Sequence, residues 1–308
     1  LAQGLLTGRY LDGVPDDSVV NFAEWQYGIA CVDPRWNMSG SYMQVMPRVY
    51  SVDSQGTERE FLADGFGSDI EVCNMTFRKG YEWPFSAARI DSTSLIDLLV
   101  KTETDKGRGV YVDYTKNPRG YCFDKLSREA KDYLTAARAV ADTPYERLLK
   151  LNPLAERLFA QKGKNLSAEP LKIAVCAQHC NGGCLVNTDF ETKISGLFVI
   201  GEAAGAFGLT RQGGTALNDT QVGSLRAAEK ISRDIARNTN APDSAITVPS
   251  YSFKKGKGEV KAIAEKMSRC AAFTRDKEAM LELLDEVRGQ KERGISAQSL
   301  SEYLYDRD

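Results

Sequence analysis

The residues best suited to chemistry lie between His179 and Leu217. The run Leu197-Phe198-Val199-Ile200-Gly201-Glu202 passes through small side chains from Ala203 to Thr210 and enters Arg211-Gln212-Gly213-Gly214-Thr215-Ala216-Leu217. A strand that ends in glycine, crosses such a loop and enters a helix at Gly-Gly-Thr brings backbone amides close to a ligand. The helix N-terminus adds unpaired N–H groups and partial positive charge, suited to a phosphate or to the anion of a reduced flavin ring. Glu202, at the carboxyl end of the strand, is placed to accept hydrogen bonds from sugar-type hydroxyls, in the kind of crevice where open α/β sheets bind ligands. His179 is the single histidine of the chain, and thus the one side chain whose unperturbed pKa lies near neutrality. The same glycines could instead serve only close strand–helix packing, with Arg211 a solvated loop residue. Cys176, Cys180 and Cys184 surround His179 in a C-x3-C-x3-C set. Zinc sites favour shorter C-x2-C pairs and need a fourth ligand, and common cluster spacings also differ, so these thiols read as small buried hydrophobes and no metal is expected.

Elements that would carry these residues can be read from periodicity. From Leu1 to about Pro170 short strand-like runs, Tyr42 to Val45 and Val110 to Val112, alternate with helical stretches, Ser94 to Val100 and Ser127 to Ala141. From Leu171 the pattern changes to Ile173-Ala174-Val175, the pair Gly182-Gly183 and the buried-strand run Leu197 to Ile200. A long helix follows, with Thr215 as expected N-cap and Leu217, Val222, Leu225, Ala228, Ile231 and Ile235 near one face. Asn238 to Ser250, with Pro242 and Pro249, reads as a linker before helices over Glu259 to Ala272 and Asp276 to Gly289. The expected fold is α+β, a mixed α/β chain.

Composition narrows the function classes. The 308 residues are 42% hydrophobic and 27% charged, the balance of a globular protein, and 40 basic against 42 acidic side chains exclude a general nucleic-acid binder. The most apolar stretch, Gly196 to Leu209, contains Glu202 and four glycines, well short of a membrane span. Seven cysteines form no compact disulfide framework, which fits a reducing, cytoplasmic setting.

The order of the motifs resembles the C-terminal flavin-binding segment of the fumarate reductase, succinate dehydrogenase and L-aspartate oxidase flavoprotein family. There a histidine followed closely by Gly-Gly leads to a G-L-(Y/F)-x-x-G-E strand, an arginine, a glycine-rich turn and N-S-L at a helix start. Here these are His179 with Gly182-Gly183, Gly196 to Glu202, and Arg211 with Gly213 to Leu217. The stretch Gly107 to Asp113 looks like a strand of that family's capping domain, and Met267 to Arg275 like the start of its helical domain. The resemblance implies a capping domain over residues 1–168, the last, Rossmann-like part of an FAD-binding domain over 169–238, and a helical extension over 239–308. It implies FAD as cofactor, held by Gly201, Glu202, Gly213, Gly214, Thr215, Ala216 and Leu217. Arg211 would grip the carboxylate of a small substrate bidentately and His179 would donate to its other end. Hydride transfer is the implied reaction, with room for an electron-transfer partner protein.

Departures from the family pattern qualify these expectations. Only Cys180 and Asn181 separate His179 from Gly-Gly, where the family has three residues. The family's Gln-Phe-His-Pro-Thr stretch has its nearest match in Gln44-Val45-Met46-Pro47-Arg48, and the segment carrying its proton-donating arginine has no counterpart after Val49. A C4-dicarboxylate substrate is therefore not implied. No Gly-x-Gly-x-x-Gly opens a strand–helix unit anywhere in the chain, so the expectation is the C-terminal part of a longer flavoprotein, inactive without its upstream region. Two rivals stand beside it: a non-catalytic binding or assembly module that keeps the fold, and a Cys/His metal-binding protein.

Overall fold

The computed structural model describes residues 18–21, 23–237, 254–255, 260–293 and 296–297. The chain forms two compact units, Tyr27–Cys176 and the pair of segments Leu1–Gln26 and Ala177–Asp308. Residues 18–26, expected in the capping part, thus fall in the unit that also holds Arg211.

The strands in chain order are β1 (Val19–Val20), β2 (Trp25–Cys31), β3 (Trp36–Asn37), β4 (Arg48–Val52), β5 (Glu58–Arg59), β6 (Gly109–Asp113), β7 (Leu171–Cys180) and β8 (Gly183–Cys184). Seven helices belong to the unit of residues 27–176: α1 (Ser41–Gln44), α2 (Ala63–Phe66), α3 (Asp69–Tyr81), α4 (Thr93–Asp105), α5 (Arg128–Ala136), α6 (Pro144–Leu151) and α7 (Pro153–Gln161). Its six-stranded sheet has the order β3-β2-β7-β6-β4-β5, with β4 and β6 antiparallel at Tyr50 opposite Tyr111, and β6 and β7 antiparallel at Val110 opposite Ile173. Val110 and Val112 point into the core and Tyr111 away from it, as the period of a half-buried strand requires. Ile29, Met43, Val49, Ile96, Val110, Phe159 and Ile173 belong to that core.

Local sequence explains most helix starts. Ser68 accepts the Glu71 N–H at the start of α3, Thr143 and Glu146 form a capping box ahead of Pro144, and Asn152 caps α7 ahead of Pro153. Two expectations are corrected. Tyr42 to Val45 is a helical turn rather than a strand: the chain enters it at Gly40, whose N–H donates to the Gly80 carbonyl at 2.7 Å. A Cβ at Gly80 would lie 2.4 Å from Gln44 Cγ, so tertiary packing against α3 overrides the strand-forming residue types. The helix expected to Ala141 ends at Ala136, because Arg138 turns left-handed at φ 55° and the Ala139 N–H reaches back to the Leu134 carbonyl.

Inside α3 and α4, Lys79 and Asp97 pair at full burial. Asp97 Oδ1 has no hydrogen-bond partner.

The other unit builds its core from Cys184, Phe190, Val199, Ala204 and Ala227. β1 pairs antiparallel with β8, and a Cβ on Gly183 would stand 2.1 Å from the Ala203 carbonyl oxygen, so only glycine permits this crossing. Leu197 to Ile200 does not form the expected buried strand. Among the described residues it makes a single bridge, Phe198 to Glu191, and Ile200 is exposed. An apolar run becomes a strand only where neighbouring strands complete its hydrogen bonds.

Helix α8 (Thr215–Arg237) packs through small residues: Gly223 meets the Phe190 ring and Thr220 approaches Gly201. Its expected apolar face is not a core face of this unit, since Leu217, Val222 and Leu225 are 74, 51 and 61% exposed. Helices α9 (Val260–Cys270) and α10 (Lys277–Arg293) occur where periodicity places them. The linker expected over Asn238 to Ser250 lies outside the described residues.

Candidate active site

The start of β2, the end of β7, the turn at Gly201 and the loop into α8 bring together the chemistry-bearing residues of one unit. Arg211 is held by Gln26, whose Oε1 accepts from Nε at 3.1 Å and Nη2 at 2.7 Å. Gln26 Nε2 donates back to the Arg211 carbonyl at 3.0 Å. Longer bonds run from Nη2 to Gln178 Oε1 at 3.4 Å and from Nη1 to the Gln212 carbonyl at 3.3 Å. Burial lowers the Arg211 pKa, opposed by Glu202, and among the described residues no carboxylate is hydrogen-bonded to the guanidinium.

His179 is buried, with the Phe207 ring edge-on at 4.7 Å. Asn181 Nδ2 donates to the Leu209 carbonyl at 2.9 Å, which turns Asn181 Oδ1 toward His179 Nδ1, 3.2 Å away. In the neutral ring that acceptor assigns the proton to Nδ1 and makes Nε2 the basic nitrogen. Nε2 is buried without a hydrogen-bond partner, 3.7 Å from Glu202 Oε2. Burial pushes the His179 pKa down and the Arg211 charge adds to that, against the pull of Glu202, Asn181 and Asp219. The imidazole is therefore neutral at pH 7, and Nε2 donates only when the ring is protonated.

Glu202 sits in a 3-10 turn, Gly201–Ala203, and its Oε1 accepts the Cys180 N–H at 3.0 Å. Gly201 has φ 65°, and a Cβ there would come within 2.9 Å of Thr220 Oγ1. Asp219, in the second turn of α8, has its carboxyl pKa raised by burial, and its Oδ2 is buried without a hydrogen-bond partner.

The strip expected to hold a cofactor makes none of these contacts. Gly213 and Gly214 are exposed, with nothing within 4 Å of an added Cβ, and Gly214 turns left-handed at φ 79°. Thr215 opens α8 rather than capping it, and its hydroxyl donates to the Gln212 carbonyl at 2.7 Å. Ala216 is half-buried and Leu217 projects outward.

Motif reading found His179, Glu202 and Arg211 but missed Gln26, Gln178, Asn181 and Asp219. Gln44, read as the nearest match to the Gln-Phe-His-Pro-Thr stretch, belongs to the unit of residues 27–176 and accepts from the Tyr133 hydroxyl there.

No family model matches the chain. It is 38% identical over 84 residues to an uncharacterised FAD-dependent oxidoreductase of Methanocaldococcus jannaschii, covering 27% of this chain and 16% of that protein. With L-aspartate oxidase of Pyrococcus abyssi it shares 29% identity over 139 residues, 44% of this chain and 28% of the oxidase. With one of the subunits of the CoM/CoB fumarate reductase of Methanothermobacter marburgensis it shares 39% over 70 residues, 22% of this chain and 13% of that protein. A variant of E. coli quinol fumarate reductase FrdA superposes with a TM-score of 0.59 at 18% identity, over 99% of this chain and 51% of FrdA.

The chain is a relative of the fumarate reductase and L-aspartate oxidase flavoproteins. It spans about half the length of the FrdA flavoprotein, whose mixed helix-and-sheet fold it shares. Open space lies beside Gly213 and Gly214 at the N-terminus of the 23-residue helix α8, which has no acidic residue in its first turn. Burial raises the thiol pKa of Cys176 and Cys184. Among the described residues no group of three or more His, Cys, Asp or Glu side chains could hold an ion. None of the described helices is long and apolar enough to cross a membrane.

Proposed function

We propose that the chain is part of an FAD-dependent oxidoreductase that moves a hydride between flavin and a small carboxylate-bearing substrate. The observation that carries this reading is a half-buried guanidinium held only by neutral groups, in one cluster with a neutral buried histidine whose Nε2 lacks a partner. A guanidinium whose hydrogen-bond partners are neutral still attracts an anion, and its fork orients a carboxylate. Arg211 is the substrate anchor in this reading. His179 Nε2 accepts a proton or hydrogen bond from the substrate, and donates after protonation. Glu202 keeps Cys180 in place and stands on the cofactor side of the cluster. Gly201, Gly213, Gly214, Thr215, Ala216 and Leu217 complete the cofactor side, where FAD supplies the hydride acceptor or donor.

The unit of residues 27–176 takes the capping role, and the helices after residue 238 the extension. The relatives' names support the chemistry: one is an FAD-dependent oxidoreductase, one acts on L-aspartate, and one belongs to a multi-chain reductase, which favours an electron-transfer partner chain. The absent glycine fingerprint and the exposed apolar face of α8 support a share of the flavin site supplied by another domain. The same exposed face favours a second reading, an assembly module without catalysis.

Visible flavin absorbance separates the two. The purified chain should retain FAD weakly, and a version preceded by a dinucleotide-binding domain should retain it stoichiometrically. Fumarate or succinate should perturb that flavin spectrum, and Arg211→Ala should abolish the perturbation while the flavin stays bound. Absence of flavin from both proteins overturns the oxidoreductase reading in favour of the module.

A further inference from the structure

A guanidinium offers a carboxylate two forks, a side edge formed by Nε and Nη2 and an end edge formed by Nη1 and Nη2. In Arg211 the side edge is closed: both its hydrogens go to Gln26 Oε1, at 3.1 and 2.7 Å. Gln26 is itself 9% exposed, and its Nε2 returns a bond to the Arg211 carbonyl at 3.0 Å. One carboxamide therefore fixes both the backbone and the head of the arginine, although 185 positions separate the two in sequence. The contacts at the end edge are the long ones, 3.4 Å to Gln178 Oε1 and 3.3 Å to the Gln212 carbonyl. Hydrogen bonds at those lengths are the weakest in the set and the cheapest to exchange for a ligand.

Resting on the reading of Arg211 as a carboxylate anchor, we propose that Gln26 is a positioning residue that locks the Nε edge of Arg211, so that a carboxylate is received end-on through Nη1 and Nη2. The residue type fits this task. A carboxylate at position 26 would cancel the guanidinium charge, whereas an amide oxygen accepts both hydrogens and leaves the charge for the ligand. The neutral surroundings extend to Gln178 and the Gln212 carbonyl. Incoming anion displaces only these long contacts, and the arginine keeps its orientation.

Side-chain preorganisation of this kind is worth roughly 3- to 10-fold in affinity. The test uses the whole 308-residue chain with 15N-labelled arginine, succinate as probe and the Arg211 Nε–H resonance as reporter, assigned by its loss in Arg211→Lys. In the wild type that Nε–H should be protected from solvent exchange and stay protected as succinate binds. Gln26→Ala should lose the protection and weaken succinate roughly 3- to 10-fold with the backbone amide spectrum unchanged. If Gln26→Ala does not fold, Gln26→Met keeps the volume and removes the same bonds. Gln26→Glu should keep the protection yet bind succinate more weakly than the wild type, an outcome a space-filling role would not produce. Unchanged protection and affinity in Gln26→Ala or Gln26→Met, or loss of wild-type protection when succinate binds, overturns the proposal. Should Arg211→Lys bind succinate as the wild type does, or neither bind it, the anchor reading itself fails and takes the positioning role with it. Lost binding in Arg211→Lys with unaltered Gln26 variants refutes the positioning role alone.

Discussion

Replacing Lys79 by methionine should destabilise the unit of residues 27–176 in a way that grows with pH. The ammonium and the Asp97 carboxylate are both fully buried, and burial lifts the Asp97 pKa to about 6 even with Lys79 beside it. An acid whose folded pKa is raised binds more protons folded than unfolded. Its stabilising contribution is full below the unfolded value, near 4, and is lost as pH rises through the folded value. In the wild type that loss is complete just above pH 6. Without Lys79 the Asp97 pKa climbs further, so the variant goes on losing about 1.4 kcal/mol per pH unit where the wild type has stopped. Between pH 6 and 8 the gap should widen by up to about 3 kcal/mol, reaching the roughly 3–5 kcal/mol expected for a buried charge left alone. The double replacement Lys79→Met with Asp97→Leu removes both charges and the orphaned Oδ1, and should return to within about 1 kcal/mol of the wild type, or exceed it. Urea unfolding at pH 6, 7 and 8 measures this, followed by the fluorescence of Trp83, which is buried in the same unit with its indole N–H on the Ile29 carbonyl. A pH-independent gap, or a double variant less stable than Lys79→Met, would refute the reasoning.

Three further outcomes are expected. Because burial depresses the His179 pKa, the folded site binds fewer protons than the unfolded chain, so stability should fall as pH drops from the ordinary histidine value through the depressed one. His179→Gln should flatten that slope in urea titrations that start at the ordinary histidine value, near 6.5, and run to lower pH. Gly183→Ala forces a Cβ against the Ala203 carbonyl and should cost about 1–3 kcal/mol or more, seen as a lowered melting temperature. Exchanging Leu217, Val222 and Leu225 for glutamine, threonine and glutamine should change the stability of this chain by less than about 0.5 kcal/mol per site in urea unfolding.

The candidate cluster was legible where neighbours in sequence remain neighbours in space. Gly201-Glu202 and Arg211-Gln212-Gly213-Gly214 act through one turn and one helix start, and their order alone separates them from ordinary packing glycines. Gln26 was not legible, because its partner lies 185 positions away and no periodicity links a strand start to a distant loop. Asp219 hid for another reason: its position in α8 is one a solvated helix face would also give it. The strand expected at Leu197 to Ile200 failed because apolarity fixes neither burial nor strand pairing: of the four residues only Val199 is buried. The apolar stripe of α8 shows the complementary limit, since periodicity identifies a face without saying what covers it.

The chain leaves one unit after Gln26 and re-enters it at Ala177. Within one unit the Asn181 N–H donates to the Glu24 carbonyl at 2.7 Å, and within the other the Val32 N–H donates to the Lys172 carbonyl at 2.9 Å. Each unit therefore holds its own two junction strands side by side. For the unit carrying Arg211, the whole of Tyr27–Cys176 is topologically a loop. Closing a flexible loop of that length costs about 4 kcal/mol of chain entropy, a cost removed once the inserted unit has folded and brought its ends together. The Gln26–Arg211 contact spans this closure. Folding of the insert thus favours the arginine clamp by lowering that cost: a lesion far away that unfolds the insert, such as the loss of Lys79, would reach the site as a change in effective loop length, with no chain of contacts needed to carry it.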